Sequence, residues 1–299
     1  MADSVPNLKG RVAVVTGATS GLGWWVACGL AALRATTVVV GRAEARTIAA
    51  AAEIASRTGN PEVYPVPATD LALRTEVVRV ADVLLQRYPR IHLLVNNAGA
   101  YYRRRAVTSE GIERTLALNV LTPFLLTSRL LPRLVESAPS RVVMIGSGAH
   151  HGHQVDFTDL QGDRHYWGWR TYGRSKLELL LLSREFAHRL HGVPVTVNTI
   201  HPGFVDSHFG RNNGGGVALA FTVLEGLFGR RPERAAAEVV RALTDPAMAS
   251  TSGEYLSRGR VRPGSPPSRD RVAALRLYEA CELLATTPSS PPPLPVQAA

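Results

Sequence analysis

The sequence contains only two cysteines and two lysines among its 299 residues, and several other features are missing. Cys28 and Cys281 lie far apart and match no spacing of a metal or redox site, so nothing demands an oxidising compartment. No run of about 18 apolar residues occurs, and we expect no integral membrane segment. Residues 1–10 lack the apolar part of a signal peptide. The sequence therefore favours a cytoplasmic protein.

Acidic residues are outnumbered by basic ones, 24 against 34, which gives a formal net charge of +10. Such a balance can indicate a nucleic-acid partner. The arginines are scattered, however, and form only short clusters at 103–105 and 230–231. We therefore expect no nucleic-acid partner, although duplex binding stays open as an alternative.

Short β-branched runs alternate with helical stretches along the chain, which predicts right-handed crossovers and a parallel sheet. The predicted fold class is α/β, a Rossmann-type doubly wound parallel sheet in a single domain over residues 8–285. Residues 204–229, with a flexible glycine run and an apolar stretch, are predicted to be a substrate loop. Residues 286–299 are rich in proline and serine and predict a disordered tail. The expected strands are 11–16, 37–40, 63–66, 91–95, 141–145, 193–200 and 253–256, and the expected helices are 24–33, 43–57, 73–88, 108–136, 171–190 and 232–242.

A glycine loop joins the first predicted strand to the first predicted helix. Gly17 and Gly21 permit a tight turn and a close approach of the backbone to a pyrophosphate, and Gly23 lets the helix pack close to the strand. The start of the helix offers N–H groups to phosphate oxygens. The loop predicts dinucleotide binding, with Ser20 and Leu22 among the contacts.

Tyr172 precedes Lys176 by four residues, so the two side chains share one helix face. A lysine is unusual in a chain with 32 arginines, and its compact ammonium group differs from the rigid guanidinium fork. A cation close to a phenol is expected to lower the phenol pKa and make it a usable acid or base. Taken alone, the pair could equally be a tyrosine and a lysine on a solvated helix face.

The glycine loop, the Asn-Asn-Ala-Gly run at 96–99, Ser147 and the Tyr172-x3-Lys176 pair together resemble the short-chain dehydrogenase/reductase family. The resemblance covers roughly residues 10–260. The 25-residue step from Ser147 to Tyr172 and the His-Pro-Gly at 201–203 are most similar to the retinol-dehydrogenase-like branch.

The resemblance implies an oxidoreductase that interconverts a carbonyl and an alcohol on a small lipophilic substrate. Tyr172 would be the acid/base, Lys176 would lower its pKa and hold the nicotinamide ribose, and Ser147 would bind the substrate oxygen. Asn119 matches a helix asparagine that carries a water in a proton relay, although it could also be an ordinary polar helix residue. Family members often pair through the helix of the tyrosine and lysine, so a homo-oligomer is possible.

Further cofactor contacts are implied at the ends of the predicted strands. Asp70 would lie near the adenine ring, but it could equally be the N-cap of the helix at 73–88, or serve both purposes. The end of the second strand has Gly41 and Arg42 where NAD-preferring enzymes usually have an acid. A guanidinium can bind a 2′-phosphate with two hydrogen bonds, so NADP is expected over NAD. The remaining implied contacts are Leu71, Asn97, Ala98, Gly99, Pro202 and Gly203.

Three departures from the family pattern and one histidine cluster are also present, and the first departure is Gly146, which replaces a common serine before Ser147. Arg34 occupies the place of a helix-ending glycine, and Trp24-Trp25 could crowd the pyrophosphate. The histidines at 150, 151 and 153 lie in one loop, which favours a polar rim of the active site over a metal site. We therefore expect no metal. The alternatives to the oxidoreductase are a catalytically silent NADP(H) sensor or scaffold of the same fold, and a family epimerase or dehydratase with tightly held cofactor.

Overall fold

The structure, a computed structural model, describes residues 6–203 and 231–286. In this part of the chain one sheet has the strand order β3-β2-β1-β4-β5-β6-β7-β8. Neighbouring strands are parallel from β3 to β7, and β8 is antiparallel to β7. The strands are β1 Val12–Thr16, β2 Thr36–Arg42, β3 Val63–Ala68, β4 Leu93–Asn96, β5 Ser140–Ile145, β6 Val195–His201, β7 Tyr255–Ser257 and β8 Arg260–Arg262.

Helices cover both faces of this sheet, and two hydrophobic clusters fill the space between the layers. The helices are α1 Gly21–Ala32, α2 Glu44–Thr58, α3 Arg74–Arg87, α4 Arg114–Leu116, α5 Thr122–Glu136, α6 Gly168–Arg189, α7 Pro232–Thr244 and α8 Arg271–Thr286. The cluster on one face includes Leu30, Ile54 and Val239, from α1, α2 and α7. The cluster on the other face includes Leu130, Phe186 and Leu277, from α5, α6 and α8.

The predicted fold class, a doubly wound parallel sheet, is confirmed by this topology. The helix predicted over 108–136 is wrong at its start, because it begins only at Arg114 and contains a π-helical turn, Ala117–Leu121, before α5. Antiparallel β8 and helix α8 were not predicted, and α8 extends one residue into the expected tail, to Thr286. The expected substrate loop at 204–229 and the tail after residue 286 lie outside the described residues.

Helix α1 ends in a Schellman motif that normally requires glycine. The Ala35 N–H donates to the Leu30 carbonyl at 3.1 Å, and the Arg34 N–H donates to the Ala31 carbonyl at 2.8 Å. Arg34 has a φ of 69°, in the left-handed region. A side chain in that conformation costs roughly 1 kcal/mol or more. The strain expected from the sequence is therefore present.

We expect Arg34→Gly to raise the free energy of unfolding by about 1 kcal/mol, because glycine adopts this backbone without the steric cost. The side chain is exposed, so little packing is lost. Arg34→Ala removes the same charge but keeps the Cβ, and it should give no comparable gain. Urea denaturation of the three proteins measures the difference. Equal stability of the glycine and alanine variants would contradict the prediction.

Candidate active site

The carboxyl ends of β1 and β4 are joined by a network of hydrogen bonds beside the glycine loop. The Thr16 hydroxyl accepts from the backbone N–H groups of Asn97 and Ala98, both at 3.0 Å. The Asn97 side-chain amide donates to the carbonyl oxygens of Thr16 at 2.9 Å and Gly17 at 3.2 Å. The two loops that the sequence predicts around a dinucleotide are thus one rigid unit. Thr16, which was not predicted as a site residue, is a central member of this unit.

Two glycines of the loop have no room for a side chain. A Cβ on Gly23 would lie 2.4 Å from Asn97 Nδ2 and 2.5 Å from the Gly17 carbonyl oxygen. Gly17 has a φ of 65°, and a Cβ there would lie 3.0 Å from the Ala98 Cα. The loop therefore packs directly onto the end of β4.

The first turn of α1 follows this loop and fits an anionic ligand. Gly21, Leu22 and Gly23 begin the helix, and their N–H groups precede the first intrahelical donors. Within the described residues, the Ser20 side chain makes no capping bond and the first turn has no acidic residue. The positive end of the helix is therefore available to a pyrophosphate, and the residues present fit a dinucleotide. Trp24 and Trp25 pack edge to face and contact the Arg57 guanidinium, 5.7 and 4.9 Å from the ring centroids.

The end of β2 is tightly packed at Gly41. A Cβ on Gly41 would lie 2.2 Å from Thr19 Cγ2 and 2.6 Å from Thr47 Oγ1. An aspartate or glutamate could not occupy residue 41 without displacing Thr19. The next residue, Arg42, ends the strand with an exposed side chain.

Asp70 does not cap helix α3, so that alternative is wrong. Its carboxylate accepts the Ala72 N–H at 3.0 Å and pairs with Arg114 at 2.5 Å. The free N–H groups of the helix start are instead taken by Glu110, which accepts from Arg74 N at 2.6 Å and Thr75 N at 3.1 Å. Asp70 and its buried neighbour Leu71 thus lie after β3, at the same edge of the sheet as the glycine loop.

Tyr172, Lys176 and Ser147 are brought together where α6 crosses the end of β5. Tyr172 and Lys176 are both buried, with 7% of each residue exposed. The Lys176 ammonium donates to the Ile145 carbonyl at 2.9 Å and lies 5.7 Å from the centroid of the Tyr172 ring. The alternative that these two side chains lie on a solvated helix face is therefore wrong.

Burial changes the electrostatics of this pair from what the sequence suggested. Desolvation raises the pKa of Tyr172 to about 12, and a side-chain hydrogen bond with Ser147 acts against this rise. The pKa of Lys176 is lowered to about 8 by burial. The expected lowering of the phenol pKa is thus reversed in the protein alone, because desolvation of both groups dominates. Near neutrality the Tyr172 hydroxyl is therefore protonated.

Asn119 lies in the π-helical turn and connects three parts of the site. Its side chain accepts from the Ala100 N–H and donates to the Ala100 carbonyl, both at 2.9 Å. It also donates to the Ser175 hydroxyl at 3.1 Å, and that hydroxyl donates to the Tyr172 carbonyl at 2.7 Å. A Cβ on Gly99 would lie 3.2 Å from Asn119 Oδ1 and 3.5 Å from Lys176 Nζ. Asn119 therefore links the segment after β4 to α6, which an ordinary polar helix residue would not do.

The segment after β6 reaches the same cluster. Pro202 is buried and Gly203 has a φ of 88°. A Cβ on Gly148 would lie 3.1 Å from His201 Nε2, so the end of β6 lies against the turn that follows Ser147. The prediction that His150 belongs to a polar rim is wrong, since only 1% of that residue is exposed.

An aromatic group beside Tyr172 was not predicted; it combines Trp169, three residues earlier in α6, with Tyr101, which is distant in sequence. The ring of Trp169 lies 5.8 Å from that of Tyr172 at 32°, and Tyr101 meets both rings at 6.2 Å, close to edge to face. Tyr101 is buried, whereas Trp169 is 48% exposed. Tyr172 is thus bordered by an apolar, aromatic surface.

The chain belongs to the family of short chain dehydrogenases, whose family model matches residues 11–215. It is an oxidoreductase that acts on alcohol and carbonyl groups, and it has a fold that binds a nicotinamide dinucleotide. This agrees with the resemblance inferred from the motifs.

Individual relatives extend the similarity over most of the chain. Dehydrogenase/reductase SDR family member 13 of Bos taurus is 39% identical over 284 residues, covering 93% of this chain and 74% of the relative. Retinol dehydrogenase 12 of Bos taurus is 37% identical over 279 residues, covering 93% and 87%. The RhlG/NADP complex of Pseudomonas aeruginosa has a TM-score of 0.67 and 31% identity, covering 85% and 96%.

Neither a membrane-spanning helix nor a metal site is found in the described part of the chain. Residues 6–203 and 231–286 contain no helix with the length and hydropathy needed to cross a membrane. The same residues contain no group of three or more His, Cys, Asp or Glu side chains that could together hold a metal ion.

Proposed function

We propose that this protein is an NADP-dependent oxidoreductase that interconverts a carbonyl and an alcohol on a small lipophilic substrate, with Tyr172 as the acid/base. The single observation that supports this most is the cluster of Tyr172, Ser147 and Lys176 at the end of β5, in which the tyrosine and the lysine are buried. A proton donor, a second hydroxyl and a cation converge there, beside a loop that fits a dinucleotide.

Each side chain has a defined task in this proposal. The bound nicotinamide supplies or accepts the hydride. Ser147 donates a hydrogen bond to the substrate oxygen and orients it toward Tyr172. Tyr172 gives its proton to that oxygen in reduction, in keeping with its raised pKa, and takes a proton in oxidation. Lys176, anchored on the Ile145 carbonyl, holds the ribose hydroxyls, and Asn119 holds a water that returns a proton toward Lys176.

The dinucleotide lies along the carboxyl edge of the sheet in this proposal. The first turn of α1, from Ser20 to Gly23, takes the pyrophosphate. Residues 97–99 would hold the adenine ribose, Asp70 and Leu71 would hold the adenine ring, and 202–203 would hold the nicotinamide end.

The preference for NADP rests on the end of β2. Gly41 cannot be replaced by an acid without displacing Thr19, so no carboxylate stands there to repel a 2′-phosphate. The exposed Arg42 guanidinium can donate two hydrogen bonds to that phosphate. The NADP complex of RhlG, a related protein, agrees with this preference.

We expect Arg42→Ala to weaken NADPH binding by about 10- to 100-fold and NADH binding by less than about threefold, because only NADPH carries the 2′-phosphate. Titration calorimetry with both nucleotides measures the two ratios. The control is Arg46→Ala, about one turn further along the chain in α2. It removes the same charge and should change both affinities little. If Arg42→Ala weakens both nucleotides equally, Arg42 does not read the phosphate.

The lipophilic substrate is supported by the aromatic surface of Tyr101 and Trp169 beside Tyr172. The test is NADPH consumption with lipophilic aldehydes, ketones and polyketide-like carbonyls, against hydrophilic sugars as controls. Turnover confined to lipophilic carbonyls would support the proposal. Tight NADPH binding with no turnover across the whole panel would favour a silent sensor or scaffold, and product isomers without net NADPH use would favour an epimerase. A homo-oligomer that pairs through α6 stays a prediction.

A further inference from the structure

His150 lies three residues after Ser147 and is almost fully buried, with 1% of the residue exposed. Its Nδ1 lies 2.7 Å from the Ser147 carbonyl oxygen. Its Nε2 lies 3.1 Å from the backbone nitrogen of Ser265. The imidazole therefore bridges the end of β5 and the segment that follows β8, which are far apart in sequence.

The two partners determine which ring nitrogen carries the proton. A carbonyl oxygen can only accept a hydrogen bond, and a backbone N–H can only donate one. Nδ1 must therefore carry the hydrogen and donate to Ser147, while Nε2 accepts from Ser265. Burial lowers the pKa of His150, in agreement with a neutral ring.

Two neighbouring aromatic rings and an anchored backbone segment also hold the His150 imidazole in place. Its centroid lies 4.8 Å from that of Tyr255 and 4.1 Å from that of His151. The segment that carries Ser265 is fixed by Arg184 of α6, which donates to the Ser268 carbonyl at 2.6 Å and the Pro263 carbonyl at 3.1 Å. His150 thus links Ser147 to an anchored part of the molecule.

We propose that His150 is a positioning residue for Ser147, which it holds at the angle that directs the serine hydroxyl at Tyr172 and the substrate oxygen. The Ser147 hydroxyl accepts the Ala149 N–H at 3.2 Å, so the backbone of this turn and the hydroxyl move together. A displacement of about 1 Å in such a group can cost as much as 100-fold in rate. The inference rests on the proposed function, in which Ser147 binds the substrate oxygen.

Asparagine and glutamine substitutions separate the two ends of the imidazole. The side-chain amide of His150→Asn can place an N–H donor near the position of Nδ1, toward Ser147. The longer His150→Gln side chain reaches the position of Nε2, and it leaves the Ser147 carbonyl without its donor. We expect kcat within about threefold of wild type for the asparagine variant and a fall of about tenfold or more for glutamine, with the KM for NADPH unchanged in both.

The segment after β8 offers a second, matched pair of variants. Ser265→Pro, at a residue whose φ of −76° suits proline, replaces the N–H that donates to Nε2 by a ring carbon that would press against the imidazole. Ser265→Ala keeps that N–H, and the hydroxyl it removes is buried without a hydrogen-bond partner among the described residues. We expect kcat to fall about threefold or more for proline and to stay at the wild-type value for alanine.

Steady-state kinetics and urea denaturation of all four variants decide between positioning and stability alone. Rescue by asparagine but not glutamine, at similar free energies of unfolding, supports the proposal. The proposal would be overturned if kcat followed the free energy of unfolding whether or not an N–H donor faces the Ser147 carbonyl. A glutamine variant as active as wild type would also overturn it. In both cases the proposed function stands. If wild type reduces no carbonyl at all, the proposed function has failed and the role of His150 fails with it.

Discussion

Replacing Tyr172 by phenylalanine is expected to lower kcat/KM by about 10³-fold or more, while NADPH binding stays within about threefold of wild type. The change removes one hydroxyl and keeps the buried ring that packs against Tyr101 and Trp169. Positioned acid/base groups contribute about 10²- to 10⁴-fold, and the described site offers no second acid in the same place. Because burial raises the pKa of Tyr172 to about 12, the wild-type hydroxyl stays protonated and able to donate across neutral pH.

The matched control for this result is Tyr88→Phe, which removes a hydroxyl from another buried tyrosine at the end of α3. It should keep full activity. Cofactor affinity is measured separately by titration calorimetry, so that lost chemistry is distinguished from lost binding. A Tyr172→Phe protein with near wild-type turnover would remove Tyr172 from the mechanism, whatever the cofactor affinity.

Gly23→Ala is expected to weaken NADPH binding by about 100-fold or more and to lower the free energy of unfolding by about 1–3 kcal/mol. The added methyl group would lie 2.4 Å from Asn97 Nδ2 and 2.5 Å from the Gly17 carbonyl oxygen, so something must move. Asn97 would lose its hydrogen bonds to the Thr16 and Gly17 carbonyls, and the loop would leave the end of β4. The N–H groups proposed to bind the pyrophosphate would move with it.

Gly29→Ala is the control within the same helix. Its methyl group would lie 2.8 Å from Val240 Cγ2 of α7, a side chain remote from the loop. That variant should change stability while NADPH binding remains at the wild-type value. Calorimetry and urea denaturation of both variants separate the two effects. Unchanged NADPH affinity in Gly23→Ala would mean that the pyrophosphate does not lie at this loop.

Much of the fold could be predicted because its signals are local. A buried parallel strand is a short apolar run, and the glycine loop stands between such a run and a helix, as β1 and α1 do. The Tyr172–Lys176 spacing needs only one helical turn. These features depend on residues within a few positions of each other, so the sequence displays them directly.

The parts that escaped prediction depend on contacts between distant residues. Glu110 caps α3 from 36 residues away in the chain, and no local pattern marks a carboxylate for that task. His150 was predicted to lie in a polar rim of the active site, because its partner Ser265 comes 115 residues later in the chain. The reversed pKa of Tyr172 follows from burial, which the local spacing does not reveal. For His150, the one available signal in the sequence was its position three residues after Ser147, which follows β5.

The bond between Ser265 and His150 also bears on how the molecule is made. Synthesis proceeds from the amino terminus, and domains tend to fold as units when their residues emerge. Strands β1 to β6 can leave the ribosome and pair while the His150 ring still lacks the N–H of Ser265. Because contacts of such long separation form late and slowly, the site should reach its final geometry only after the segment beyond β8 has been translated. A nascent chain could thus hold a nearly complete sheet before its chemistry is assembled.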